Sequence, residues 1–107
     1  MDEIVLRSMT NVIVEAVHPD EIVLFGSYAR GTEHPKSDVD FLVVVPDSDA
    51  AKKRRRMTGH LYRSLASYPV AKDILVFTRS EVEHWRNIPG HIVATSLQEG
   101  RRLYARS

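Results

Sequence analysis

Apolar residues first recur at helical spacing: Ile4, Val5, Met9, Val12, Ile13, Ala16 and Val17. That spacing predicts an amphipathic helix over residues 3–17. His18-Pro19 stops it, because a residue before proline is driven out of the helical region. Residues 21–25 then form a short apolar strand, ended by Gly26-Ser27. Ser27 is placed to cap a short helix over 28–31, with Gly31 as its terminator. Residues 32–37 contain Pro35 and read as loop. From Asp38 to Val45 the pattern changes to a continuous apolar run rich in β-branched residues. Such a run predicts a strand buried on both faces.

Pro46-Asp47-Ser48-Asp49 makes a turn and supplies N-cap candidates for a helix over 50–67, in which Met57, Leu61 and Leu65 stand four apart. Tyr68-Pro69 ends that helix, and Lys72 to Phe77 forms a third strand. Thr78 with Glu81 has the spacing of a capping box at the start of the next helix. Pro89-Gly90 breaks it. Residues 91–99 form a last helix with Gly100 at its C-cap, and Leu103-Tyr104 adds a short edge strand. The alternation predicts one α/β (α+β) domain over residues 1–107, a three- to four-stranded mixed sheet flanked by helices. If Gly26, at the end of the first strand, is to meet Asp38 and Asp40, at the start of the second, those strands run antiparallel. If Asp73, at the start of the third, is to join them, strands two and three run parallel. A parallel pair needs a long crossover, and residues 46–71 supply it.

Composition narrows the possibilities. The 107 residues suit one domain, and 43% apolar content allows a single small core. The formal net charge of +1, with both signs mixed, gives no global electrostatic case for nucleic acid. The absence of cysteine excludes disulfides and cysteine-ligated zinc. The acidic start Met1-Asp2-Glu3 lacks the features of a signal peptide, and no apolar run approaches a membrane span. The expectation is a cytoplasmic protein.

The chemistry lies in Gly26-Ser27, ten residues, then Asp38-Val39-Asp40. Side chains two apart on a strand share a face, so Asp38 and Asp40 project together. Two carboxylates at the mouth of an apolar strand repel each other and lose solvation, which a cation relieves. Oxygen donors suit hard ions, magnesium or manganese. Asp73 is the third carboxylate. Three carboxylates with triphosphate oxygens can hold two ions for in-line displacement at phosphorus. In this reading Asp38 and Asp40 hold both ions, while Asp73 binds the ion near the incoming hydroxyl and is a candidate general base. Backbone N–H groups after Gly26, with the Ser27 hydroxyl, hold the phosphates. Glycine lets the backbone come close to them. Arg30 and Lys36 are the candidate cations for the triphosphate charge.

These residues resemble a known superfamily, the DNA polymerase beta-type nucleotidyltransferases. The longer run FGSYARG…SDVDFLVVV resembles the minimal nucleotidyltransferases within it, small proteins often paired with HEPN-domain proteins. The resemblance implies a nucleotidyltransferase fold and magnesium-dependent transfer of a nucleoside monophosphate, usually AMP from ATP. It also implies a HEPN toxin as partner, with this chain as antitoxin adding AMP to a toxin tyrosine. Larger relatives carry a further domain, so a partner or a second copy of this chain is expected to complete the site.

Other functions share the same residues: an antitoxin that only masks its toxin, or nucleotidyl transfer to a small-molecule or RNA hydroxyl. The run Lys52-Lys53-Arg54-Arg55-Arg56 spreads around a helix and reads first as a solvated face. Without interleaved aromatics it makes a poor stacking surface for nucleic acid. His18, His34, His60, His84 and His91 show no paired metal spacing and are expected to be surface or structural. Trp85 is expected to pack or to serve an interface.

Overall fold

The computed structural model describes residues 2–33, 37–48 and 50–106. The chain order is α1 (Glu3–Val17), β1 (Glu21–Phe25), α2 (Ser27–Arg30), β2 (Val39–Val45), α3 (Ala50–Ser64), β3 (Lys72–Thr78), α4 (Arg79–Trp85), α5 (Ile92–Glu99) and β4 (Arg101–Ala105). The four strands form one sheet in the order β3-β2-β1-β4. Strand β1 lies antiparallel to both β2 and β4, and β2 lies parallel to β3. This is the mixed sheet expected from the connection lengths, with α3 in the crossover.

Strands β1 and β2 are central, and both faces of the sheet are covered. One face packs Leu24, Phe41, Val43, Ile74 and Val76 against Leu6, Met9 and Ile13 of α1 and Leu61 and Leu65 near the end of α3. The opposite face packs Val23, Leu42 and Val44 against Val82 of α4 and Val93 of α5. The continuous apolar run of β2 follows from this two-sided burial, since it feeds alternate side chains to each core. Full burial of a side chain as large as Phe41 contributes about 1.5–3 kcal/mol.

Local chemistry sets the element ends. Asp2 caps α1 by accepting from the Ile4 N–H at 2.8 Å, and His18 closes it in the left-handed region. Thr78 and Glu81 form the expected capping box on α4. Several expectations change. The inward face of α1 centres on Leu6, Met9, Thr10 and Ile13, and Ile4 is 78% exposed. Ser27 is the first residue of α2, and Gly26 holds the cap position without a side-chain bond. Helix α3 ends at Ser64, before Tyr68-Pro69, and α4 ends at Trp85, before Pro89-Gly90. Asp47 accepts from the Ser80 N–H at 2.8 Å and so joins the start of α4. Asp49, the other acidic cap candidate, lies outside the described residues.

Gly100 is where α5 turns into β4 against β1. A Cβ there would lie 2.2 Å from the Ser96 carbonyl oxygen, 2.4 Å from Val23 Cγ1 and 2.8 Å from the Leu24 carbonyl oxygen. Two of these contacts are backbone and cannot rotate away. Gly100→Ala is expected to cost about 1–3 kcal/mol, read as a lower Tm in thermal denaturation. An unchanged Tm would show that α5 does not pack this closely on β1.

Candidate active site

The site forms where β1 ends and β2 and β3 begin. Strand register brings Phe25 beside Asp40, and Asp40 beside Asp73. Registered neighbours share a sheet face and stand about 4.8 Å apart along the hydrogen-bonding direction. Asp40 and Asp73 therefore project on the face that carries Leu42, Val44, Leu75 and Phe77 farther along the same strands. Asp38 lies just before β2, two residues from Asp40 and exposed to solvent. Asp73 is also exposed, and Asp40 is half-buried.

Gly26 closes over Asp40. Its backbone has φ 77° and ψ −157°, a region that only glycine enters readily. A Cβ at this position would stand 2.1 Å from Asp40 Oδ2. The bend after β1 and the β2 carboxylate thus occupy adjoining space. The Asp40 carboxyl is pushed up to about 6, first by burial, then by repulsion from Asp73 and Asp38, with Arg30 acting in the opposite sense. Arg30 is on α2 and pairs with Glu99 of α5 at 3.3 Å. Lys36 lies outside the described residues.

Asp73 has a neighbour that periodicity did not single out. Tyr62 of α3 reaches the free edge of β3. Its hydroxyl accepts from the Ile74 N–H at 2.9 Å and donates to Asp73 Oδ1 at 3.4 Å. The only sequence signal is a tyrosine beside Leu61, one of the apolar positions spaced four apart on this helix.

The donor set is all oxygen, which suits a hard divalent cation. Its unneutralised charge is visible in the raised Asp40 carboxyl. Among the described residues, no group of three or more acidic, imidazole or thiol side chains forms a ready-made metal cage.

Charge elsewhere is largely compensated. Near the opposite end of β1, a cleft of about 590 Å³ is lined by Asp20, Glu21, Arg79, Arg86, Arg102 and Arg106. There Arg79 pairs with Asp20, Glu21 and Glu83, and Arg102 pairs with Glu21 at 2.9 Å. In the basic run, Arg54 pairs with Glu81 and lies over the Phe77 ring, so this residue is anchored. Arg55 and Arg56 are exposed. His91 caps α5 through Nδ1, and its ring stacks on Trp85 at 4.1 Å. Among the described residues, no helix is long and apolar enough to cross a membrane.

Two measurements check this geometry. Gly26→Ala is expected to lose about 1–3 kcal/mol of stability, seen in denaturant unfolding. A neutral result would separate the bend from Asp40. The second concerns pH. A carboxyl raised from 3.8 to about 6 in the folded chain stabilises the fold fully below about 3.8. That contribution is lost as pH rises through about 6. Without divalent ions, Asp40→Asn is expected to melt above the wild type at pH 8 and level with it near pH 4. Equal melting at pH 8 would remove the repulsion.

Comparison with known proteins agrees with this arrangement. The family model for the nucleotidyltransferase domain matches residues 6–104. A Methanocaldococcus jannaschii protein, provisionally named a protein adenylyltransferase, is 35% identical over 57 residues, 53% of this chain and 54% of that protein. The match thus spans about half the length of that curated relative. A provisionally assigned nucleotidyltransferase from Sulfolobus solfataricus superposes with a TM-score of 0.63 at 19% identity, covering 94% of this chain and 78% of the other. A toxin–antitoxin structure with AMP-PNP superposes with a TM-score of 0.58 at 21% identity, covering 94% of this chain and 74% of that one. With a family match across nearly its whole length and the same fold in solved structures, the chain belongs to the nucleotidyltransferase domain family.

Proposed function

We propose that the chain is a magnesium-dependent nucleotidyltransferase that moves AMP from ATP to a tyrosine of a HEPN-domain toxin, and so acts as its antitoxin. The observation that carries this reading is the Asp40 carboxyl, packed against the Gly26 bend, in register with Asp73, and raised to about 6 first by burial and then by the charges of Asp73 and Asp38. Concentrated negative charge beside a glycine bend that leads into a helix start is matched by a metal–triphosphate. The name of the M. jannaschii relative and the AMP-PNP bound in the toxin–antitoxin structure support the choice of adenylyl transfer and of a toxin partner.

Asp38 and Asp40 would hold magnesium, and manganese could replace it. The metal supplies neutralisation of the triphosphate and Lewis-acid polarisation at phosphorus. The N–H groups after Gly26 and the Ser27 hydroxyl hold the β- and γ-phosphates, and Lys36 is a further candidate for their charge. Arg30 exchanges its exposed partner Glu99 for phosphate oxygen, a pair of small cost to break. Asp73 takes the proton of the incoming hydroxyl as that oxygen attacks the α-phosphorus. The bond from the α-phosphorus to the bridging oxygen breaks, and pyrophosphate leaves. The acceptor approaches from the exposed side of Asp73.

The test incubates the chain with magnesium, α-labelled ATP and a HEPN-domain toxin, taken from a neighbouring gene where one is found. Label is expected on a tyrosine of that partner. Transfer should fall about 10²–10⁴-fold in Asp73→Asn and be lost in Asp38→Ala and Asp40→Ala. Toxin neutralisation that persists in Asp40→Ala would contradict this reading and favour masking.

A further inference from the structure

We propose that Tyr62 is an internal acceptor, so that the chain can transfer one AMP to its own α3. This rests on the nucleotidyl-transfer reading above and adds a modification site to it. The Tyr62 hydroxyl directs its proton to Asp73 Oδ1 at 3.4 Å, and Asp73 is the group assigned as base. The Ile74 N–H, at 2.9 Å, pins the same oxygen in place. The residue is 37% exposed, and its bond to Asp73 lies at the surface. A phenol held in this way has the chemistry of the partner tyrosine and stands on the same base. Tyr68, by contrast, bonds to Ser8 of α1.

The step balances. Tyr62 Oη attacks the α-phosphorus of ATP and forms a phosphodiester. The α-phosphorus bond to the bridging oxygen breaks and pyrophosphate leaves. The phenolic proton passes to Asp73. The phenolic oxygen is consumed in the phosphodiester, so Tyr62 takes one AMP directly.

The experiment uses the full chain alone, with magnesium and α-labelled ATP, read by intact mass and peptide fragmentation. One AMP per chain is expected, on the peptide carrying Tyr62, with a rate constant unchanged when the chain is diluted. Mapping on the native chain does not depend on any variant folding. Tyr62→Phe should lose the label and Tyr68→Phe should keep it. Magnesium-dependent ATP binding by calorimetry without label, or label on another residue, would overturn the Tyr62 assignment and leave the nucleotidyltransferase reading standing. A rate that falls on dilution would overturn the intramolecular route. Loss of magnesium-dependent ATP binding altogether would remove both.

Discussion

The repulsion felt by the Asp40 carboxylate is the constraint on which the site depends. Burial and two acidic neighbours raise its carboxyl to about 6, so at neutral pH the folded chain carries the ionised group at a cost in stability. Nothing in the packing of the core asks for this. Val39, Phe41 and the rest of β2 would form the same strand with an apolar residue at position 40. A group kept at a cost in stability, at the mouth of an otherwise apolar strand, is what the proposed metal–triphosphate site would use. Gly26 makes the same point from the other side. Its strained backbone brings the bend against Asp40, where any side chain would collide.

The fold converts sequence order into that meeting. The antiparallel turn from β1 to β2 returns the chain so that Phe25 and Asp40 pair. The α3 crossover then lays β3 parallel to β2, and register places Asp73 next to Asp40. Each of β1, β2 and β3 contributes one element of the site at the same end of the sheet. The two cores behind it, one under α1 and α3 and one under α4 and α5, hold the strands at fixed register.

Much of this was legible in the chain. The run from Val39 to Val45 could only be a doubly buried strand, and the spacing of Gly26, Asp38 and Asp40 carried its own chemistry. The mixed sheet followed from asking that Gly26, Asp38, Asp40 and Asp73 meet, and the connection lengths permitted it. What the sequence hid were interactions between distant segments. Helical periodicity gives Tyr62 no role, and only the edge of β3 gives its hydroxyl two partners. Arg54 read as one of five similar cations, yet it is fixed by Glu81 and Phe77. Leu6 replaced Ile4 on the inner face of α1, because helical periodicity leaves the phase of a rich apolar pattern open. Helix ends shifted by several residues where turns took over before the prolines that mark them in sequence.

Charge elsewhere supports a local origin for ligand attraction. The net charge is +1, and the arginines of the cleft near the far end of β1 are tied to Asp20, Glu21 and Glu83. The most direct test of the central claim is a crystal structure of the chain with manganese and a non-hydrolysable ATP analogue, using anomalous scattering to locate the ion. The expected result is manganese bound by Asp38, Asp40 and Asp73, with the β- and γ-phosphates on the Gly26-Ser27 bend. Manganese bound elsewhere, or Asp73 turned away from Asp40 in the complex, would contradict it.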